Sequence, residues 1–270
     1  MALVLASARV DEDGVRWLIV LASAAFVADF AFVYVWAAGA DTSTRDAMVE
    51  RAETASKLSH ELKNPLMSIK GLSSTAVGLY ERMEDEERKE FFQLIDEEAG
   101  RLKRIVEQAA TALKVDAEQV SYDLQSLDLG ELVQEVAWTV PHADHPMTVE
   151  AEPGLRAVVD RRHFGEAIEI LIDNAVKFSP PDAPIEVSVR RGDDRAVVDV
   201  ADRGPGIPSE RLVRVFERFG RWRPAGYEET PGAGLGLFIA RAHVLAHEGR
   251  IEIVEREDGG TILRVTLPEE

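Results

Sequence analysis

Residues 161–178 read RRHFGEAIEILIDNAVKF, from Arg161 to Phe178. Ile168, Leu171, Ile172, Ala175 and Val176 recur at the three-to-four spacing of an amphipathic helix, so the run predicts one helix with its apolar stripe on a core. Asn174 and Lys177 stand three apart near its end and share a face. An amide oxygen beside an ammonium suits Mg-triphosphate. The amide is a hard ligand for a metal that keeps several waters, and the ammonium is a point charge on phosphate. Polar residues at a helix end are equally what solvent alone accommodates.

Short strands flank this helix. MTVEAE (147–152) and AVVD (157–160) precede it, and IEVSVRR (185–191), RAVVDVAD (195–202), RIEIVERE (250–257) and TILRVTLP (261–268) follow, alternating or running apolar. Further helices are expected at Gly130–Val140, Ser209–Phe216 and Ala233–Ala246. Gly192-Asp193-Asp194 and Asp258-Gly259-Gly260 mark hairpin turns. Helices segregated against a mixed sheet make an α+β sandwich the expected fold class for residues 126–268.

Upstream, Leu58, Leu62, Leu66, Ile69 and Leu72 form one helical stripe, and Phe91, Leu94, Ile95, Leu102, Ile105, Val106 and Leu113 form another. ERMEDEERKE (81–90) between them is the solvated end of a helical hairpin and the start of its second helix. Two arms cannot bury both stripes alone, so residues 43–120 are expected to pair with a second copy as a four-helix bundle in a homodimer.

At the N-terminus, Trp17–Ala38 reads WLIVLASAAFVADFAFVYVWAA, interrupted only by Asp29. As a helix it would be about 33 Å long, enough for a hydrocarbon core of about 30 Å. Asp29 costs about 3 kcal/mol at the centre, which the apolar neighbours offset. A transmembrane helix over 17–38 is expected. A buried soluble helix and a signal peptide cleaved near Ala38-Gly39-Ala40 are the competing readings. Arg9 and Arg16 before the run and Arg45, Arg51 and Lys57 after it leave orientation unmarked.

The whole chain of 270 residues, 46% hydrophobic and 30% charged, is long enough for two domains with their own cores, which excludes disorder for its bulk. Its 49 acidic against 31 basic residues give a formal charge of -18 with no basic patch, so nucleic acid is not an expected partner. The absence of cysteine excludes a disulfide scaffold, a thiolate metal site and a cysteine nucleophile.

Four runs carry chemistry. In Ser59-His60-Glu61-Leu62-Lys63-Asn64-Pro65-Leu66, a zincin would need a second His where Asn64 stands. His60 falls at the outer side of the stripe, where a neutral imidazole could act as a nucleophile with Glu61 orienting it. Residues one apart on a helix diverge, so only the length of Glu61 would bring it back. Pro65 removes a helical hydrogen bond beside them and predicts a bend. A helical His is also commonly structural. The second run is Asp173–Phe178. In the third, Asp202-Arg203-Gly204-Pro205-Gly206-Ile207, glycines let backbone approach a flat ligand while the carboxylate can accept from an exocyclic amine; it can equally be only a turn. In the fourth, Gly232-Ala233-Gly234-Leu235-Gly236-Leu237 opens a helix whose free amides favour phosphate, but it lacks the Gly of a dinucleotide fingerprint and the Lys-Ser or Lys-Thr of a P-loop. Between the third and fourth runs, Phe216-Glu217-Arg218-Phe219 leads into a Gly-, Pro- and Arg-bearing stretch that reads as a lid.

These runs, in this order and behind a helical hairpin, resemble a sensor histidine kinase of the two-component systems over about Arg45 to Leu267. Ser59–Leu66 is similar to the H box, Asp173–Phe178 to the N box, Asp202–Gly206 and Gly232–Gly236 to the two glycine boxes, and Phe216–Phe219 to the F box. The resemblance implies a dimerisation and phosphotransfer hairpin joined to a Bergerat-type ATP-binding domain. It implies that His60 accepts the γ-phosphoryl group of ATP, that Glu61 assists, and that Asn64 positions water for dephosphorylating a response regulator receiver domain. It further implies that Asn174 helps hold Mg2+, Lys177 touches phosphate and Asp202 reads adenine, with Gly204, Gly206, Phe219, Gly232, Gly234, Leu235 and Gly236 completing the nucleotide site. Ile170 departs from the polar residue such N boxes often carry.

An ATP-dependent kinase places its domains in the cytoplasm, so the expectation is a single-pass protein of the inner membrane with residues 1–16 outside. A nucleotide-binding scaffold without kinase activity and a serine-directed Bergerat ATPase are the alternative functions; the latter has no need of a histidine-bearing hairpin. His243 and His247, four apart on a helix, lack an evident third metal ligand and read as surface or core residues.

Overall fold

The computed structural model of the chain describes residues 45–142, 145–228, 230, 232–256 and 258–270, with side chains from Thr54 onward. The expected N-terminal segment 1–16 and span 17–38 lie outside the described residues. Among the described residues no helix is long and apolar enough to cross a membrane. The chain divides into two compact units, residues 1–57 and 58–270.

Helices α1 (Arg45–Leu79) and α2 (Asp85–Asp116) form the hairpin, joined by a 3-10 turn at Tyr80–Arg82. The charged run does close the hairpin. Glu84 caps α2 in a reciprocal capping box, its own N–H donating to Glu87 Oε2 at 2.9 Å, and Asp85, Glu86 and Glu87 complement the positive end of the helix dipole. Leu62, Pro65, Ala76, Ile105, Ala109 and Ala112 are buried. Met67 and Phe92 remain 55% and 58% exposed, so part of each arm's apolar surface has no cover among the described residues.

The second half is built on β1 (Gln125–Asp128), α3 (Leu129–Thr139), β2 (Met147–Ala151), β3 (Arg156–Val159), α4 (Arg161–Phe178), β4 (Ile185–Arg191), β5 (Arg195–Ala201), α5 (Gly236–Ala246), β6 (Arg250–Glu255) and β7 (Thr261–Pro268). The main sheet has the order β2-β4-β5-β7-β6, parallel between β2 and β4 and antiparallel elsewhere, while β1 and β3 pair separately. Its inner face is a ladder of β-branched and leucine pairs, such as Val189↔Val198 and Val200↔Leu263. Phe164, Ile168, Leu171 and Ile172 of α4 and Ile239, Ala240 and Val244 of α5 are fully buried within the domain. Each such large side chain contributes about 1.5–3 kcal/mol.

Two expected elements differ. Ser209–Phe216 is not one helix but two 3-10 turns, Ser209–Arg211 and Arg214–Phe216. A run this short cannot repay helix nucleation, and only Val215 and Phe216 reach the core while Val213 is 72% exposed. Helix α5 begins at Gly236, not Ala233, because Gly232 and Gly234 take φ values of 153° and 72° that no right-handed helix admits. Strand β1, polar and short, carries no periodic signal and becomes visible only through its pairing with β3.

Candidate functional site

The end of α4, the loop after β5, residues 220–223 and the glycine run before α5 line an open cleft of about 990 Å³, a volume that includes solvent at its mouth. Asp202 stands in it, 6% exposed. Its Oδ1 accepts from the N–H groups of Gly204 at 2.8 Å and Thr261 at 3.0 Å, which leaves Oδ2 to offer a ligand. Burial raises the Asp202 carboxyl pKa, against the lowering effect of those bonds and of the Arg256 charge. Pressed onto Asp202 is Gly260, whose absent Cβ would sit 2.1 Å from Asp202 O.

Asn174 and Lys177 both line the cleft, as do Asp173 and Ile170. Asn174 donates through Nδ2 to Ile170 O at 2.9 Å, the i−4 carbonyl of its own helix, which leaves its side-chain oxygen as the hard donor it can present. Lys177 pairs with Asp173. Ile170 is 8% exposed, and a Cβ on Gly236 would meet it at 3.1 Å, so the apolar residue there forms part of the wall beside the glycine run. Gly206, Gly232, Gly234 and Gly236 also line the cleft.

Gly204, Leu235 and Phe219 are not among the lining residues. Gly204 packs on the end of α4, where a Cβ would come 2.6 Å from Phe178 O. Leu235 caps α5 and is 1% exposed, a core residue. Phe219 turns the chain in the left-handed region at φ 57°.

The cleft has further walls: Arg221, Trp222 and Arg223, in the stretch expected as a lid, and two residues no motif pointed to, Thr261 and, from α2, Gln108. Trp222 donates through Nε1 to Gly206 O at 3.2 Å, tying the lid stretch to the first glycine run. Arg221 pairs with Glu61 of α1, and Arg218 pairs with Asp116 at the end of α2 at 2.6 Å. Arg221 Nη2 is buried without a hydrogen-bond partner, an orphaned cationic donor at the cleft wall. Glu61 is committed to Arg221, while His60 and Asn64 are exposed on α1. Because such pairings join residues far apart in sequence, no local pattern announces them.

Mg2+ and a triphosphate fit these residues. The Asn174 oxygen is a hard donor, and Lys177, Arg221 and Arg223 supply cations, one of them with an unsatisfied N–H. Among the described residues no cluster of three or more His and carboxylates could hold a metal by itself.

Two family models match the chain: the His Kinase A (phospho-acceptor) domain over residues 50–117, and the histidine kinase-, DNA gyrase B- and HSP90-like ATPase over 159–270. The sensor protein ChvG of Rhizobium meliloti is 32% identical over 239 residues, covering 81% of this chain and 40% of that protein. KdpD of Clostridium acetobutylicum is 30% identical over 225 residues, 82% of this chain and 25% of the relative. The chain thus spans well under half the length of these relatives. The histidine kinase AdeS of Acinetobacter baumannii shares the fold, with a TM-score of 0.61 at 20% identity over 77% of this chain and 97% of that one. ShkA, solved full-length in complex with AMPPNP, matches at a TM-score of 0.57 and 22% identity over 79% of this chain and 46% of that one. The helical hairpin bearing His60, the α/β domain around Asp202 and these relatives agree, and the chain belongs to the two-component sensor histidine kinases.

Proposed function

We propose that the chain is a membrane-anchored sensor kinase that autophosphorylates His60 from Mg-ATP and passes the phosphoryl group to an aspartate of a response regulator receiver domain. The observation that carries this reading is the Arg221–Glu61 pair, which links a wall of the nucleotide cleft to the residue beside an exposed histidine. Asp202 Oδ2 accepts from the adenine amine, Asn174 ligates Mg2+, and Lys177 and Arg221 bind phosphate oxygens. Mg2+ neutralises charge on the phosphates. When Arg221 turns to phosphate, Glu61 is released to orient the His60 imidazole and take the proton it sheds as the N–P bond forms and ADP leaves.

Residues 43–120 are assigned to dimerisation and phosphotransfer, and 126–268 to ATP binding. Exposed Met67, Phe92 and Leu94 support pairing with a second copy as a homodimer. Trp17–Ala38 is assigned as a membrane span, with residues 1–16 outside and the kinase domains in the cytoplasm. Asn64, one turn from His60 on the same face, is assigned the hydrolytic water in dephosphorylating the regulator.

Incubation with labelled Mg-ATP followed by acid and base treatment tests the reading. Label lost in acid and kept in base supports phosphohistidine. Acid-stable label points to a serine-directed ATPase, and binding without label points to a scaffold.

A further inference from the structure

Outside the cleft, a cluster of rings gathers where the segment leaving α2 meets the ATP-binding domain. In that connector, residues 117–124, the Tyr122 hydroxyl lies 3.0 Å from His243 Nδ1, and its ring centroid lies 4.9 Å from His163 and 5.4 Å from His247. The next residue, Asp123, donates its N–H to Asp160 Oδ2 at 2.7 Å. Asp160 caps α4 by accepting the His163 N–H at 2.9 Å, and its own N–H donates to His247 Nε2, also at 2.9 Å.

The proton positions follow from what each partner can do. His247 Nδ1 is 2.6 Å from the His243 carbonyl, which only accepts, so Nδ1 carries the hydrogen and Nε2 keeps its lone pair for Asp160. His247 is therefore neutral. His243 is fully buried, with Nε2 3.4 Å from Glu166 Oε2 and Nδ1 facing the Tyr122 hydroxyl.

We propose that Tyr122 is a positioning residue for phosphotransfer: with Asp123 it pins the connector to α4 and α5, and neutral His247 keeps the pin closed. Because the N–H groups of residues 117–119 bond back to the end of α2, only residues 120 and 121 are left as slack between hairpin and cleft. The consequence for rate rests on the kinase reading of His60; the pin itself does not. Release of the pin lengthens the slack to residue 124, up to β1. Effective concentration falls roughly as the −3/2 power of tether length, so docking of the cleft on His60 weakens about fourfold.

A proton on His247 Nε2 would face the Asp160 N–H, donor against donor. Burial lowers the His247 pKa; the His243 carbonyl and the Asp160 charge pull it back up, and the His243 and His163 rings push it down. Glu166, beside Arg162, is held ionised first by its hydrogen bond to His243 and against the effect of burial. Burial, with the charges of Asp160 and Glu166, raises the Tyr122 pKa and keeps its hydroxyl protonated. A His pKa lower in the fold than in the open chain contributes stability above the ordinary imidazole value and loses it as pH falls through the folded value. Acid therefore opens the pin.

The test uses the full chain as wild type, Tyr122→Phe and His247→Gln. Hydrogen exchange of residues 120–124, corrected for its intrinsic pH dependence, is followed at about pH 7.5 and about pH 5.5, with autophosphorylation rate and Mg-ATP Kd on the same samples. Wild-type connector protection should fall about fivefold in acid. Tyr122→Phe keeps the ring but should lose about fivefold already at the higher pH. Its autophosphorylation should be about fourfold slower at unchanged Kd. His247→Gln, whose amide oxygen accepts from Asp160 without titrating, should keep its protection in acid. Wild-type protection and rate in Tyr122→Phe, or a wild-type connector with no acid step, overturns the proposal. A wild-type chain that forms no phosphohistidine overturns the kinase reading and the effect on rate, while the exchange measurement still decides the pin.

Discussion

Arg221 at the cleft wall and Glu61 of α1 are ion-paired, so the group expected to meet phosphate and the group expected to assist His60 neutralise one another before nucleotide arrives. Glu61 is 12% exposed and Arg221 26%, so the pair is shielded enough for its exchange of partners to matter. Replacing Arg221 by Ala should weaken Mg-ATP binding by roughly tenfold or more, through loss of a charge-assisted hydrogen bond. Glu61→Gln, which removes the competing carboxylate, should bind Mg-ATP at least as tightly as the wild type and slow phosphorylation of His60. Titration calorimetry and initial-rate labelling separate the two. Equal effects of both variants on affinity would contradict the exchange of partners.

Asp202 is the buried acceptor. Asp202→Ala removes a hydrogen bond worth about 1.5–3 kcal/mol to the adenine amine, and also frees the N–H groups of Gly204 and Thr261. ATP affinity should fall by about tenfold to a hundredfold. A wild-type ATP Kd in a variant that remains folded would place the base elsewhere.

The core can be tested by Leu171→Ala, since Leu171 is fully buried on the stripe of α4. The variant should lose about 2–5 kcal/mol of stability in denaturant unfolding. A loss near zero would mean that α4 does not pack as described.

Acid stability should have a component from Asp160. Burial alone would raise this carboxyl, but hydrogen bonds from the His163 and Asp123 N–H groups, with the His163 ring beside it, bring it from 3.8 down to about 2. A carboxyl with a lower pKa in the fold stabilises above its ordinary value and loses that contribution as pH falls from about 4 towards 2. The contribution is on the order of 2 kcal/mol. Urea unfolding of Asp160→Asn should show a shallower decline over that window than the wild type. Identical slopes would assign the acid lability to other groups.

Asn64→Ala should slow dephosphorylation of a phosphorylated receiver domain while sparing His60 autophosphorylation. Parallel losses would instead give Asn64 a structural role beside the buried Pro65.

Periodic features were legible in the sequence. Helix α4 and strands β4 and β7 fall on the residues their patterns mark, because each buries a regular face. The cleft was legible where a local run supplies the chemistry, as at Asn174, Lys177, Asp202 and Gly206, Gly232, Gly234 and Gly236. What the sequence hid are relationships between distant residues: Arg221 with Glu61, Trp222 with Gly206, Tyr122 with His243. His243 and His247, four apart, proved to be core residues, but only the fold reveals that Tyr122 and Asp160 are their partners. The two turns in place of a helix at 209–216 reflect tertiary anchoring of Val215 and Phe216 alone, which composition does not encode.

The most direct measurement is labelling of His60→Ala with radioactive Mg-ATP beside a calorimetric titration of the same sample. His60 stands exposed on the hairpin, whereas Asn174, Lys177 and Asp202 line the cleft of the other domain. The account predicts that the variant incorporates no base-stable label and binds Mg-ATP with wild-type affinity. Retained base-stable label in His60→Ala would contradict it.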